Sequence, residues 1–151
     1  MSTMMPALQD ESIVSAAESG ALVLLTQPMI GFEHTSRYAI RPLGSDYGSY
    51  ELMTSLEEQG LSFVVVPPGA IFSDYRFEIP ESDVELLGLR DVSDVETWVL
   101  VTRKGLPVPT VNLLGPLVVN RRTRVAAQLV LQDSGYGAAV AVNAGSARPL
   151  A

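Results

Sequence analysis

No cysteine occurs in the 151 residues, which excludes disulfides, thiolate metal sites and a thiol nucleophile. Histidine occurs once, at His34, so a multi-histidine metal centre is excluded and a single imidazole base remains. Basic residues are scarce: ten Lys and Arg face seventeen Asp and Glu, for a net charge of −7. Such a chain is a poor candidate for gripping a phosphate backbone. Long apolar runs are missing as well. The longest uncharged stretch, residues 105–120, is sixteen residues long and interrupted by Pro107, Pro109 and Pro116. It is too short and too broken to cross a bilayer. The first basic residue is Arg37, so the basic opening of a secretory leader is not seen, and a cytoplasmic protein with no membrane contact is expected.

What is present is enough for one packed core. Hydrophobic residues make up 47% of the chain against 18% charged, the balance of a folded domain rather than a disordered one. The length is that of a single domain. Charge is divided along the chain. Residues 1–100 hold sixteen carboxylates and four arginines, whereas residues 101–151 hold one carboxylate and six basic groups. Either the two parts lie close and partly neutralise each other, or an acidic surface faces a basic partner.

The hydrophobic period is mostly two. Arg37 to Arg41 and Tyr75 to Ile79 alternate polar with apolar, as a half-buried strand does. Leu61 to Val66 becomes apolar on both faces in its second half, which places it more centrally in a sheet. Thr97 to Arg103 is rich in β-branched residues. Arg124 to Gln132 sets Val125, Ala127, Leu129 and Leu131 on one face, with Arg124, Gln128 and Gln132 on the other. Ala21 to Thr26, Tyr50 to Ser55 and Leu117 to Asn120 complete the strand candidates. Helix signals are few. Ser82-Asp83-Val84-Glu85 fits a capping box and Gly88 fits a stop, allowing one or two turns. Ser93 to Glu96 reads as a turn, and Leu56 to Gly60 as a possible helical turn. The expected fold is mostly β, a small antiparallel β-barrel or sandwich with a few short helices. Its core is expected to include Phe63, Val65, Phe77, Leu100, Leu129 and Leu131. Residues 1–20 read as an N-terminal extension. Residues 137–151, rich in Gly and Ala, have little to pack and read as a flexible tail.

The chemistry-bearing residues do not assemble into a catalytic pattern. His34 has no Gly-x-Ser-x-Gly elbow to serve. Glu57 and Glu58 are adjacent in a turn and read as loop solvation. No calcium loop or phosphate loop occurs, so no metal and no cofactor is expected. Arg121, Arg122 and Arg124 form a basic cluster without interleaved aromatics, which reads as a solvated strand edge rather than a nucleic-acid contact. One segment remains unexplained: Asn112-Leu113-Leu114-Gly115-Pro116-Leu117-Val118-Val119-Asn120. It reads first as a kinked core strand whose asparagines fix corners. Adjacent Leu113 and Leu114 would point to opposite faces of an extended chain, and Pro116 cannot donate to a ladder and marks a strand end or edge. An apolar edge needs a cover, so the segment is also a candidate partner surface.

That segment resembles the Asn-Leu-Leu-Ala-Pro-(Ile/Val) stretch of the bacterial flagellar assembly factor FliW family. Other motifs follow in order. Ile30-Gly31-Phe32-Glu33 resembles the end of the family's Gly-(Ile/Leu)-Pro-Gly-Phe-Glu turn, with Ile30 in place of proline. Leu61 to Val65 with Pro67 resembles its central strand. Phe72-x-Asp74-Tyr75-x-Phe77 resembles its Phe-Pro-Asp-Tyr-x-Phe motif, with Ser73 for proline. Asp83 to Leu89 resembles the short acidic helix that follows it. Gln128 to Tyr136 resembles the closing strand and tyrosine, with Gly135 for proline. The likeness runs from about residue 21 to 136 and is poor over 1–20. It implies a non-enzymatic regulator that binds CsrA, an RNA-binding translational repressor, and flagellin, relieving repression of flagellin translation. It also implies a monomer when free that does not itself touch nucleic acid. Phe32, Asn112, Leu113, Leu114, Pro116, Asn120 and Tyr136 are the expected partner-binding residues. A small β-barrel that binds nucleic acid through Arg121, Arg122 and Arg124, or an enzyme using His34, are the alternatives.

Overall fold

The computed structural model describes residues 21–148. The N-terminal extension expected over 1–20 lies outside them. Strands β1 (Leu22–Leu25), β2 (Arg37–Pro42), β3 (Glu51–Ser55) and β4 (Ser62–Val66) form an antiparallel meander. Helix α1 (Glu81–Leu87) follows, then β5 (Val95–Thr102), β6 (Thr110–Val111), β7 (Leu117–Asn120), β8 (Val125–Gln128) and β9 (Val140–Ala141). Seven strands close into a barrel in the order β1-β2-β3-β4-β5-β7-β8 and back to β1. Every pairing in that ring is antiparallel except β1 with β8, which is parallel. Strand β5 is long enough to hold several neighbours. Its first half pairs with β7, and Val101 pairs with both Val64 of β4 and Val111 of β6. Short β6 and β9 thus extend the sheet outside the ring.

Strand alternation sorts the apolar residues into two cores. Val23, Tyr38, Met53, Val65, Trp98 and Leu117 point into the barrel. Their neighbours Val66, Val99 and Val118, with Ala127, Leu129 and Leu131, point outward into a second core. The wall made by β4, β5, β7 and β8 is therefore apolar on both faces because both are covered. The cover is residues 67–89 on one side of the sequence and residues 129–147 on the other, which supply Phe72, Leu87, Tyr136, Val140 and Ala147. Of the six expected core residues, Val65, Leu129 and Leu131 are buried, while Phe63, Phe77 and Leu100 are half-buried and pack against the two cores.

Four expectations are corrected. Residues 75–79 keep the predicted alternation of exposure but form no strand. A single side chain serves part of their backbone: Tyr136 Oη accepts from the Arg76 N–H at 3.0 Å and donates to the Arg76 carbonyl at 2.8 Å. The tail is not loose over the part described. β9 pairs with β6, Ala147 is buried, and its N–H donates to Asp74 Oδ1 at 3.0 Å. Small side chains let this backbone lie close to the body, which composition alone read as nothing to pack. The capping box is not the helix cap either. Pro80 occupies the cap, with Glu81 and Asp83 in the first turn. Gly88 does end the helix, at φ 64° and ψ 32°. The Gly88 N–H donates to Glu85 O and the Leu89 N–H to Val84 O, a Schellman pair. Residues 56–60 form a turn without helix.

The parallel seam is fixed by one ion pair. Arg124, at φ 67°, sends Nε to Leu22 O at 2.9 Å and Nη1 to Glu96 Oε1 at 3.1 Å. Trp98 Nε1 donates to the other carboxylate oxygen at 2.8 Å. Burial by itself raises the Glu96 pKa, but the Arg124 and Trp98 hydrogen bonds and the arginine charges outweigh it and hold the carboxyl below its ordinary value. Among the described residues no helix is long and apolar enough to cross a membrane.

Two tests follow from this packing. Tyr136→Phe removes the hydroxyl that serves both backbone groups of Arg76, and denaturant unfolding is expected to show a loss of about 1 kcal/mol, the usual net worth of such hydrogen bonding. The Glu96 pair stabilises the fold above the carboxyl's unfolded pKa, and that contribution is lost as pH falls through the lowered folded value. Melting temperature is thus expected to fall on acidification below about pH 4.3. Glu96→Gln is expected to be less stable at neutral pH and to show a shallower acid decline. An equally steep decline in the variant would remove Glu96 from the account.

Candidate functional site

The Asn112 segment begins as a turn built by its own side chain. Asn112 Oδ1 accepts from the Leu114 N–H at 3.1 Å and the Gly115 N–H at 2.9 Å. The Leu113 and Leu114 amides both donate to Gly137 O, and Tyr75 Oη donates to Leu113 O at 2.7 Å. Pro116 sits immediately before β7 and opposite Leu129, and having no N–H it returns no bond to the Leu129 carbonyl, so the ladder there is single-bonded. Its carbonyl accepts from the Leu129 N–H at 2.8 Å, and the Leu114 carbonyl accepts from the Leu131 N–H at 2.9 Å. Residues 114–116 therefore prolong β7 alongside 129–131. Asn120 fixes the other corner. Its Oδ1 accepts from the Arg122 and Thr123 amides, and its Nδ2 donates to Leu87 O at 2.8 Å, tying the helix end to the barrel.

This geometry divides the expected partner surface. Leu113, Pro116, Asn120 and Tyr136 are buried, each within this chain. Leu113 lies in the second core. Tyr136 stacks edge-on against Tyr75 at 4.7 Å beneath the Arg148 guanidinium, which lies 4.2 Å above its ring. These four have internal work: Leu113, Pro116 and Asn120 offer almost no surface and Tyr136 only a strip along a neighbouring hollow, so all four read first as structural residues. Phe32, Asn112 and Leu114 remain accessible, and they meet at one place.

That place is a cavity of about 350 Å³ at one mouth of the barrel, lined by Met29, Ile30, Phe32, Leu100, Leu114 and Val130, among others. Met29 to Phe32 is a turn closed by the Phe32 N–H on Met29 O, with Gly31 at φ 91° in its third position. A turn with that conformation accepts proline at its second position, so Ile30 keeps the family's turn and adds an apolar side chain. Ile30 is 82% exposed, Val130 54% and Phe32 37%. Phe32 leans edge-on against Phe63 with ring centroids 4.8 Å apart, which anchors the turn over the barrel interior. Ile30, Leu100 and Val130 were missed by sequence reasoning. Val130 did carry a signal, being with Ala126 one of two apolar residues on the otherwise polar face of the stretch 124–132, and the larger of them. Two larger hollows, of about 710 and 630 Å³, flank the extended segment 75–79. The first mixes Arg76, Glu78, Gln132 and Arg148 with apolar groups and converges on no single chemistry.

The remaining candidates have structural roles. Arg121 donates to Val95 O, Arg122 donates to Gly88 O and lies 3.6 Å from Asp94, and Arg124 holds Glu96. Glu57 does more than solvate a loop. It accepts from the Ser36 and Arg37 amides at 2.6 and 2.9 Å and pairs with the Arg37 side chain at 3.3 Å. Burial opposes its ionisation, but these donors prevail and hold the carboxyl below its ordinary range. His34 is exposed in the β1–β2 loop. Among the described residues no group of three His, Asp or Glu is placed to hold a metal ion.

Comparison with known proteins gives one consistent result. The family model described as FliW protein matches residues 11–142. The flagellar assembly factor FliW of Bacillus subtilis is 34% identical over 116 residues, which cover 76% of this chain and 80% of that protein. The flagellar assembly factor FliW of Bacillus licheniformis is 36% identical over 107 residues, covering 70% and 74% respectively. A crystal structure of the flagellar assembly factor FliW superposes with a TM-score of 0.74 at 23% identity, over 82% of this chain and 86% of that one.

The division between core and surface is open to measurement. Leu113→Ala is expected to cost roughly 2–5 kcal/mol in denaturant unfolding, as a fully buried leucine does. Leu114→Ala, at the cavity rim, is expected to cost less than half as much. Equal losses would place both leucines in the core.

Proposed function

The chain belongs to the FliW family of flagellar assembly factors, and from that premise we propose that it regulates by binding proteins rather than by catalysis. The partners are a CsrA-type RNA-binding regulator and flagellin. Binding the first relieves repression of flagellin translation, and flagellin competes for the same factor. The work is cytoplasmic, and the free chain is a monomer. The observation that carries this reading is the barrel mouth, where Ile30, Phe32, Leu114 and Val130 gather apolar surface around a cavity. Apolar surface of that kind marks interaction sites.

Electrostatics supports the same reading. An acidic chain of net charge −7 is drawn to a basic RNA-binding protein, which speeds encounter more than it tightens the complex. The competing nucleic-acid reading relies on Arg121, Arg122 and Arg124, and each of those guanidinium groups already donates to an acceptor in this chain.

Calorimetry of the purified chain with the CsrA-type regulator and with flagellin is expected to show binding to both, and none to RNA. Ile30→Asp places a charge on the apolar mouth at a side chain that makes little internal contact. It is expected to weaken partner binding at least tenfold while leaving the melting temperature within about a degree, as exposed substitutions do. Salt-dependent RNA binding without partner binding would reverse the conclusion.

A further inference from the structure

Strand β8 has an edge that β1 only half covers. Where β1 lies beside it, the parallel ladder is complete: the Leu24 N–H donates to Arg124 O and the Thr26 N–H to Ala126 O, both at 2.9 Å. Beyond Thr26 the chain turns away into the Met29–Phe32 turn. The Leu129 and Leu131 amides face β7's extension, so those of Gln128 and Val130 face the opposite way, along the track that β1 has left. Among the described residues the Gln128 N–H, the Gln128 carbonyl and the Val130 N–H have no hydrogen-bond partner. The 350 Å³ cavity lies between this bare edge and the turn, since Ile30 and Phe32 line one side and Gln128 and Val130 the other.

We propose that this edge is a strand-addition site, and that its occupant is a short extended segment of a partner protein running parallel to β8. The inference rests on the proposed function and names the mode of recognition at that same surface. The backbone specifies the occupant. In a parallel ladder one residue donates to the carbonyl before its opposite number and accepts from the amide after it. A residue opposite Leu129 would therefore fill the Gln128 carbonyl and the Val130 N–H together, taking up the pattern that Thr26 begins. The pleat specifies the side chains. Ala126 faces the barrel interior, so positions opposite Gln128 and Val130 face the cavity, and the position between them shares the face of Thr26, which is exposed. The motif read is thus apolar, any residue, apolar, with main-chain bonds for affinity and the cavity for selectivity. A helix or a folded apolar face would leave the edge amides unpaired. A lone small molecule would leave the track empty.

The test uses a substitution that this geometry makes selective. Val130→Pro deletes an N–H that bonds nothing in the free chain, and it follows Leu129, which is already extended, so the fold is expected to survive. Its melting temperature is expected to match that of wild type, while affinity for the CsrA-type regulator or flagellin falls at least tenfold. Val130→Ala, which keeps the N–H, is expected to lose much less. In the wild-type chain, hydrogen exchange at Gln128 and Val130 is expected to be fast alone and slowed when partner is added. A second probe does not depend on partner identity: a blocked five-residue Thr-Val-Thr-Val-Thr peptide at millimolar concentration. It is expected to shift the amide resonances of Gln128, Val130 and Phe32, and its analogue N-methylated at the central threonine is not. If Ile30→Asp abolishes partner binding but Val130→Pro does not, the surface stands and strand addition is overturned. If neither partner binds wild type yet the peptide shifts those amides, strand addition stands and the partners were misassigned. Slow exchange at both amides in the free monomer, or only at concentrations where it dimerises, would overturn the proposal in favour of this chain's own residues 1–20 or a second copy.

Discussion

The structure depends on one constraint: a barrel wall that is apolar on both faces must be covered on both. Residues 117 and 119 of β7 point into the barrel, and Val118 between them points out. Strands β5 and β8 repeat the division with Trp98 against Val99 and Ala126 against Ala127. A seven-strand barrel alone would leave that outer face in water. The long excursions after β4 and β8 exist to close over it, and their irregular backbone is held by side chains rather than ladders. Tyr136 does this for Arg76, Asn112 for the turn before Pro116, Asn120 for the end of α1, and Asp74 for the residues around Ala147. At the barrel mouth, by contrast, Ile30, Phe32, Leu114 and Val130 leave a largely apolar surface that no such excursion covers among the described residues.

The charge division along the sequence resolves in the same frame. Of the three ion pairs among the described residues, two, Arg122 with Asp94 and Arg124 with Glu96, join a base from the last third of the chain to an acid from the first two thirds. The basic cluster at the β7–β8 turn is there to hold β5 and β1 in place. Among the described residues, the charged side chains outside these ion pairs are mostly acidic.

The main strands were legible in the sequence because a period of two survives in any half-buried extended segment. β7 was read to the residue, bounded by Pro116 and the corner-forming Asn120. The same period misled at 75–79, where alternation reflects a groove and not a ladder: periodicity reports exposure, and pairing depends on what lies alongside. β6 and β9 are two residues each and exist only through each other and β5, so nothing local announces them. At the site, the asparagines were legible as corner residues by their chemistry, and Phe32 and Leu114 through the ordered motifs. The first reading of 112–120, a kinked core strand, holds for Leu113, whereas burial of Pro116 and Tyr136 was not legible, because it is decided by segments far off in sequence. Ile30 and Val130 escaped notice because an exposed aliphatic residue is unremarkable until a neighbour from another strand is set beside it.

The parallel seam between β1 and β8 carries a consequence for how the molecule comes into being. It joins residues about a hundred positions apart, Thr26 to Ala126 and Leu22 to Arg124. The meander β1 to β4 pairs neighbours and can form early, but the barrel cannot close until β8 has been made and brought back to the first strand. Contacts of such separation slow folding, because the entropy of a long loop is spent before any of them is rewarded. During synthesis the first four strands wait with their inner face open until β8 has been made, and only then can Gln128 and Val130 meet Ile30 and Phe32 to form the mouth. A chain cut short of β8 would have neither a closed barrel nor this mouth.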